Sequence, residues 1–130
     1  MTDFAEPTRV APYLSLNGRA REAIDTWKRA FGATEVMSVP EAERIRHAEV
    51  SINGGPVYVT DFHPDPAHVF QPTRSIALHL AVPDGKTWMD RAETAGCRVM
   101  TPWQQMTFGG FGRLVDPFGV VWSFASPNRS

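Results

Sequence analysis

His47 and Glu49 stand two residues apart in the run Arg46-His-Ala-Glu-Val-Ser-Ile52, where Ala48, Val50 and Ile52 alternate with polar residues. Alternation of period two marks a strand with one buried face, so His47, Glu49 and Ser51 share the other face. An imidazole beside a carboxylate has the makings of a general base, because the carboxylate favours the imidazolium form. The same pair also occurs as ordinary polar groups on a solvated strand. Asp61 and His63 close a second strand-like run; they are either metal donors or the start of a turn. A third imidazole, His79, lies on the polar side of residues 75–82, with Ile76, Leu78, Leu80 and Val82 on the other. Arg113 offers a planar cation, Ser123 a hydroxyl and Tyr13 a phenol. Trp103 and Phe111 offer ring faces for stacking on a planar ligand. Trp103 sits in a glycine-rich segment that either caps a site or packs inward.

Other chemistries are excluded. Cys97 is the single cysteine, so neither an internal disulfide nor a thiolate cluster can form, and burial is its expected role. Gly109-Gly110-x-Gly112 lacks the Lys-Ser/Thr ending and the following helix of a phosphate loop. No local signature of a Ser/His/Asp triad is present.

The elements that must position these groups repeat. Residues 10–16 alternate as a strand, and residues 19–31 place Ile24, Trp27 and Phe31 at helical spacing before Gly32. Strands are expected at 34–38, 46–52 and 57–62, the last two joined by Asn53-Gly54-Gly55. A proline-rich connector, 63–74, carries no periodicity. The order then begins again: a strand at 75–82, a helix at 86–95 with Trp88, Ala92 and Ala95 on one stripe, and strands at 97–102, 112–115 and 120–124. At an offset of 64 residues Leu14 falls on Leu78, Gly32 on Gly96, Gly55 on Gly119 and Tyr58 on Trp122. The expectation is an α+β fold of two tandem βαβββ modules in one domain over 1–130, module 1 at about 9–62 and module 2 at about 75–125.

Composition narrows the partners. A net charge of −1 without runs of like charge gives no footprint for nucleic acid or an anionic membrane. Hydrophobic residues at 42% and charged residues at 21% suit a packed globular core. No apolar stretch approaches the about 20 residues of a membrane span, and residues 1–8 lack the features of a signal peptide, so a cytoplasmic protein is expected.

Pro12-Tyr-Leu14, the helix end Ala23-Ile-Asp-x-Trp27-x-x-Ala-Phe31-Gly32, His47-Ala-Glu49, Thr60-Asp61 and Gly112-Arg-x-x-Asp-Pro-Phe-Gly119-x-x-Trp122 together resemble the vicinal oxygen chelate superfamily of glyoxalases, bleomycin-resistance proteins and extradiol dioxygenases. The resemblance spans roughly residues 9–125 and is nearest the PhnB-like branch. It implies a sheet from each module curled around a shared cavity, with helices outside. In metal-using members, His and Glu ligands come from the first and last strands of each module. Here those positions fall at Ala11 (or Tyr13, two residues on), Val59, Ala77 (with His79 two residues on) and Ser123. None of the four primary positions is His or Glu, so no metal cofactor is expected; a displaced Asp61/His63/His79 site is the alternative.

On this reading Tyr13, His47, Glu49, Asp61, His79, Arg113 and Ser123 face the cavity, with Trp103 and Phe111 near its mouth. The 64-residue offset pairs Glu49 with Arg113, either as an ion pair or as groups orienting a ligand. The expected function is binding of a small planar or aromatic molecule. The alternative is a lyase or isomerase using a shifted metal site or the His47/Glu49 pair. The resemblance also implies a homodimer whose subunits complete each other's cavities.

Overall fold

The computed structural model describes residues 9–65 and 67–127. Residues 1–8, read above for leader features, lie outside these, as does Pro66 of the connector. The first module comprises β1 (Tyr13–Ser15), α1 (Ala20–Phe31), β2 (Thr34–Glu41), β3 (Arg44–Ile52) and β4 (Gly55–Thr60). The second comprises β5 (Ala77–Ala81), α2 (Gly85–Thr94), β6 (Arg98–Met106), β7 (Gly109–Val115) and β8 (Val121–Pro127). Each module forms its own four-stranded mixed sheet, ordered β1-β4-β3-β2 and β5-β8-β7-β6. β1 runs parallel to β4 and β5 parallel to β8, whereas the other pairs are antiparallel. This is the α+β fold of two tandem modules read from the sequence. Among the described residues, no helix is long and apolar enough to cross a membrane.

The helices cover one face of each sheet. In α1, Ala20, Ala23, Ile24, Trp27, Ala30 and Phe31 are buried, while Arg21, Glu22, Lys28 and Arg29 are exposed. The helix stops at Gly32, whose φ of 66° is the left-handed conformation that costs glycine little. In α2 the buried stripe is Gly85, Met89 and Ala92, so Trp88 is turned to a half-buried flank rather than heading the stripe. Ala48, Val50, Ile52 and Val59 from one sheet and Leu80, Leu114, Trp122 and Phe124 from the other complete the core.

The aromatic centre of the core joins the modules. Phe31 lies 4.4 Å from the Trp122 ring and Trp27 meets Trp122 edge-on at 5.6 Å. Both indole N–H groups donate to one carboxylate oxygen, Asp116 Oδ2, at 2.8 and 3.0 Å. The other oxygen accepts the backbone N–H groups of Phe118 and Val120, each at 2.9 Å. Four donors thereby stand in for the water that burial removes from this carboxylate.

Three expected elements differ. β1 is only three residues long: just before it the Pro12 carbonyl still accepts the Tyr58 N–H at 3.0 Å, but residues 10–12 are not strand. The segment before Gly112 is no open loop: β6 and β7 pair from Arg98/Val115 to Met106/Gly109 and turn at Thr107-Phe108. Its glycines serve packing, since a Cβ on Gly110 would overlap the Trp103 indole. The third difference is register. Tyr13 pairs with Tyr58 and His79 with Ser123, while Glu49 faces Tyr58 and Arg113 faces Ser123. Structural equivalence therefore runs Glu49 to Arg113, Tyr58 to Ser123 and Tyr13 to His79, at offsets of 64, 65 and 66 residues. A single gapless offset fails because Ile52↔Gly55 closes a tight turn, whereas Val115↔Val121 spans a longer one.

Replacing Asp116 with Ala should lower the unfolding free energy by about 3 kcal/mol or more, because it strands two buried indole N–H groups; urea denaturation measures this. A smaller, pH-dependent effect is expected at the surface. Glu35 accepts both terminal nitrogens of Arg21 at 2.8 and 2.9 Å, and chiefly through them its carboxyl is held at about 2, below the usual 4.5. A depressed carboxyl stabilises the fold above its unfolded value and loses that contribution as pH falls from about 4.5 towards about 2. Glu35→Gln should flatten the melting temperature against pH across that window, and added salt should shrink the difference because Arg21 is exposed and Glu35 only half-buried.

Candidate functional site

The face of each sheet turned away from its helix carries a row of side chains on three neighbouring strands. Opposed residues on adjacent strands project to the same face, about 5 Å apart. In the first module the row is Tyr13, Tyr58 and Glu49. In the second it is His79, Ser123 and Arg113.

The first row is internally tied. Tyr13 Oη lies 3.2 Å from His47 Nδ1, and the two rings meet edge to face with centroids 5.6 Å apart. His47 stacks near the Tyr58 ring, at 5.7 Å and an interplanar angle of 20°. Arg9 donates to Tyr58 Oη at 3.3 Å and approaches Glu49 to 3.8 Å. Glu49 thus faces Arg9, not Arg113 as the sequence offset suggested, because the equivalent positions lie on separate sheets. Met37 and Val39, opposite Glu49 and His47 on β2, extend this face with exposed apolar surface.

The second row is looser. His79 Nδ1 and Ser123 Oγ share a hydrogen bond of 2.7 Å. Arg113 is half-buried and its Nε is sealed from solvent with no hydrogen-bond partner among the described residues. Phe111 follows on the same face of β7, two residues from Arg113 and opposite Ala125.

The structure thus brings together Tyr13, His47 and Glu49 as one group and His79, Arg113, Ser123 and Phe111 as another. Two expected members lie elsewhere. Asp61 is buried beneath the start of α1, where Oδ1 accepts the N–H groups of Gly18 and Ala20 at 2.8 and 2.9 Å and Oδ2 accepts that of Ile45 at 2.9 Å. It caps the helix, whose own N-cap residue Arg19 makes no side-chain cap, so its oxygens are not offered to a ligand. Trp103 packs against the core on the helix side of its sheet, over Gly110 and Gly85, rather than at the mouth of the open face. Tyr58 went unrecognised because counting four residues on from the turn glycine, Gly55, put its strand's site position at Val59, which is fully buried in the core. The alternation Val57-Tyr-Val59, read against Glu49 on the paired strand, is the signal that finds it.

The donor set bears on the divalent metal that the resemblance implies. The rows offer two phenols, one imidazole and one hydroxyl at Tyr13, Tyr58, His79 and Ser123, with no carboxylate on the first or last strand. Such a set does not fit a divalent ion that needs imidazole and carboxylate ligands. The displaced alternative fares no better: Asp61 is committed to backbone N–H groups, and His63 stacks on His68 at 3.6 Å while its Nδ1 accepts the Asp65 N–H. Among the described residues, no group of three or more His, Cys, Asp or Glu could hold a metal ion. A groove of about 310 Å³ between the modules, floored by Leu14, Leu78 and Val121 and flanked by Phe70 and Phe118, reaches the Tyr13 end of the first row.

Residues 9–124 match the Glyoxalase/Bleomycin resistance protein/Dioxygenase superfamily. A protein of Mycobacterium tuberculosis strain H37Rv is 33% identical over 128 residues, covering 92% of this chain and 75% of the relative. Among solved structures, protein PA1353 of Pseudomonas aeruginosa superimposes with a TM-score of 0.76 at 25% identity, covering 95% of this chain and all of the other. A PhnB protein of Bacillus cereus superimposes with a TM-score of 0.71 at 20% identity, covering 92% and 99%.

Cys97 does not act as a nucleophile at neutral pH. Burial foremost, with the Asp116 carboxylate second, pushes its thiol up to about 12, leaving almost no thiolate. The native protein at pH 8 should therefore resist iodoacetamide for hours and become alkylated once urea unfolds it, as intact-mass spectrometry will register.

Proposed function

The chain belongs to the glyoxalase/bleomycin resistance protein/dioxygenase superfamily, and we propose that it is a PhnB-like member that binds a small planar or aromatic molecule on the open faces of its sheets without a metal. The carrying observation is the make-up of the two rows. Where metal-using relatives would place ligands, this chain has Tyr13, Tyr58, His79 and Ser123, a set with a single imidazole and no carboxylate that suits hydrogen bonding and stacking better than chelation. Tyr13, Tyr58 and His47 form an aromatic wall with polar atoms at its edges, and Phe111 provides a ring on the second face. Strand-borne groups of this kind suit recognition because their positions are fixed before the ligand arrives.

A second copy of the chain completes the cavity in this proposal. Tyr13 is 59% exposed, and Met37 and Val39 are also open, so the first face has apolar surface to cover. A second reading, acid–base catalysis by a lyase or isomerase, is favoured by one contact, the Tyr13 hydroxyl that orients His47. Glu49, two residues along the same strand from His47, makes its ion pair with Arg9 at 3.8 Å.

Titration with the neutral fragments indole and benzamide, followed in amide correlation spectra, should perturb the Tyr13, His47, Tyr58 and Phe111 strands and leave the outer surfaces of the helices unmoved. His47→Ala should weaken fragment binding about fivefold or more while changing the melting temperature by only a few degrees. Fragment affinity unchanged in that variant would sink the binding reading, and sedimentation equilibrium showing only monomer at micromolar concentration would sink the shared cavity.

A further inference from the structure

The two rows occupy equivalent places in the two modules, yet their charges are settled differently. On the first, Glu49 has its cation in Arg9 at 3.8 Å. On the second, the equivalent residue is Arg113, and among the described residues no carboxylate pairs with it and no acceptor meets its Nε. Other arginines find partners: Arg21 forks onto Glu35 and Arg46 clasps Glu41, while Arg19 donates to Glu22 and Arg91 to the carbonyl of Arg29. Arg74 and Arg98 are exposed to water. Arg113 combines partial burial with a sealed Nε–H that meets no acceptor among the described residues, an arrangement that proteins seldom leave uncompensated.

Its surroundings say what would compensate it. Ser123 stands opposite Arg113, and His79 opposite Ser123, in consecutive register across β7, β8 and β5. The row therefore sets a half-buried guanidinium and an exposed imidazole on either side of a buried hydroxyl, over about 10 Å. The guanidinium donates to oxygen, and the hydroxyl and imidazole can both do so when His79 is protonated, its Nδ1–H then donating to Ser123 Oγ and leaving the hydroxyl hydrogen and Nε2–H for a ligand. Because Nε is sealed, an acceptor reaches the guanidinium through its two terminal nitrogens, the end-on fork that fits a carboxylate or a phosphonate. Phe111, two residues along the same face, lies where the body of such a ligand would rest.

We propose that the His79–Ser123–Arg113 row of the second module is an anion subsite, and that the small molecule bound by this protein carries a carboxylate or a phosphorus oxyanion beside its planar part. This deepens the binding function proposed above and rests on it, so the test must tell the two apart.

Benzoate and benzamide share shape and differ in charge. Titrated separately into the full chain, with the Nε–Hε correlations of arginine recorded by NMR, benzoate should shift the Arg113 signal and bind about tenfold more tightly than benzamide. In Arg113→Met the two affinities should converge through loss of benzoate binding, while Arg113→Lys should keep part of the preference because charge survives without the fork. Thermal melts of both variants establish that they fold. Equal affinities in the parent protein, or a benzoate preference that persists in Arg113→Met, would overturn the anion subsite while leaving the binding function standing. Should neither compound perturb the open faces, both fail together. An Arg113 signal that moves on Glu49→Gln but not with benzoate identifies a carboxylate of a second copy as the counter-ion, and that too would overturn the proposal.

Discussion

The arrangement depends on one buried carboxylate. Asp116 gathers an indole from the helix of the first module, an indole from the sheet of the second, and two backbone N–H groups of its own turn. Each contact would be modest in water, but a buried acceptor with four donors is rigid, because moving any donor exposes an unmet charge in a poorly solvating medium. Phe31 then packs on Trp122 and Phe124 on Phe31, so the angle between the modules follows from where those rings meet. The open faces on the far sides of the sheets inherit that angle. A carboxylate well away from either row thereby fixes how the rows are presented.

The modules are copies in topology and not in chemistry. Tyr13, Tyr58 and Glu49 match His79, Ser123 and Arg113 place for place. A duplicated unit offers two equivalent positions for every function, and here they have taken opposite charges. The same drift shows at the helix starts. Asp61 caps α1 through the N–H of Ala20, and Ser126, at the corresponding end of β8, accepts the N–H of Gly85 at the start of α2. The device is retained while the group serving it has changed from a carboxylate to a hydroxyl.

Much of this was legible in the residues. Alternation separated His47 and Glu49 from Ala48, Val50 and Ile52, and the two βαβββ units followed from spacing and glycine stops. The misreadings share a physical origin. Counting a fixed distance from the turn glycine assumes turns of equal length in the two modules, so it named Val59 where Tyr58 faces out. Asp61 looks like any polar residue at a strand end, because the helix it caps begins 41 positions earlier in the chain. Trp103 sits among glycines that suggest a loop, and only the sheet shows that those glycines make room for its ring. Local pattern reports which face a residue occupies; it does not report which distant backbone group a carboxylate has been recruited to satisfy.

The caps also impose an order on synthesis. α2 has a nearby cap, Asp84, which accepts from the Thr87 N–H and hydroxyl, so its first turn can be closed as soon as the helix itself has been made. α1 has no such neighbour and must wait for Asp61. On a ribosome, where the amino-terminal part emerges first, the first helix therefore leaves the exit tunnel with its amino end unsealed until the fourth strand has followed it out. The chain's earliest helix is the one that cannot be finished early, and a pause in translation between the two would hold its leading turn open to water and to chaperones.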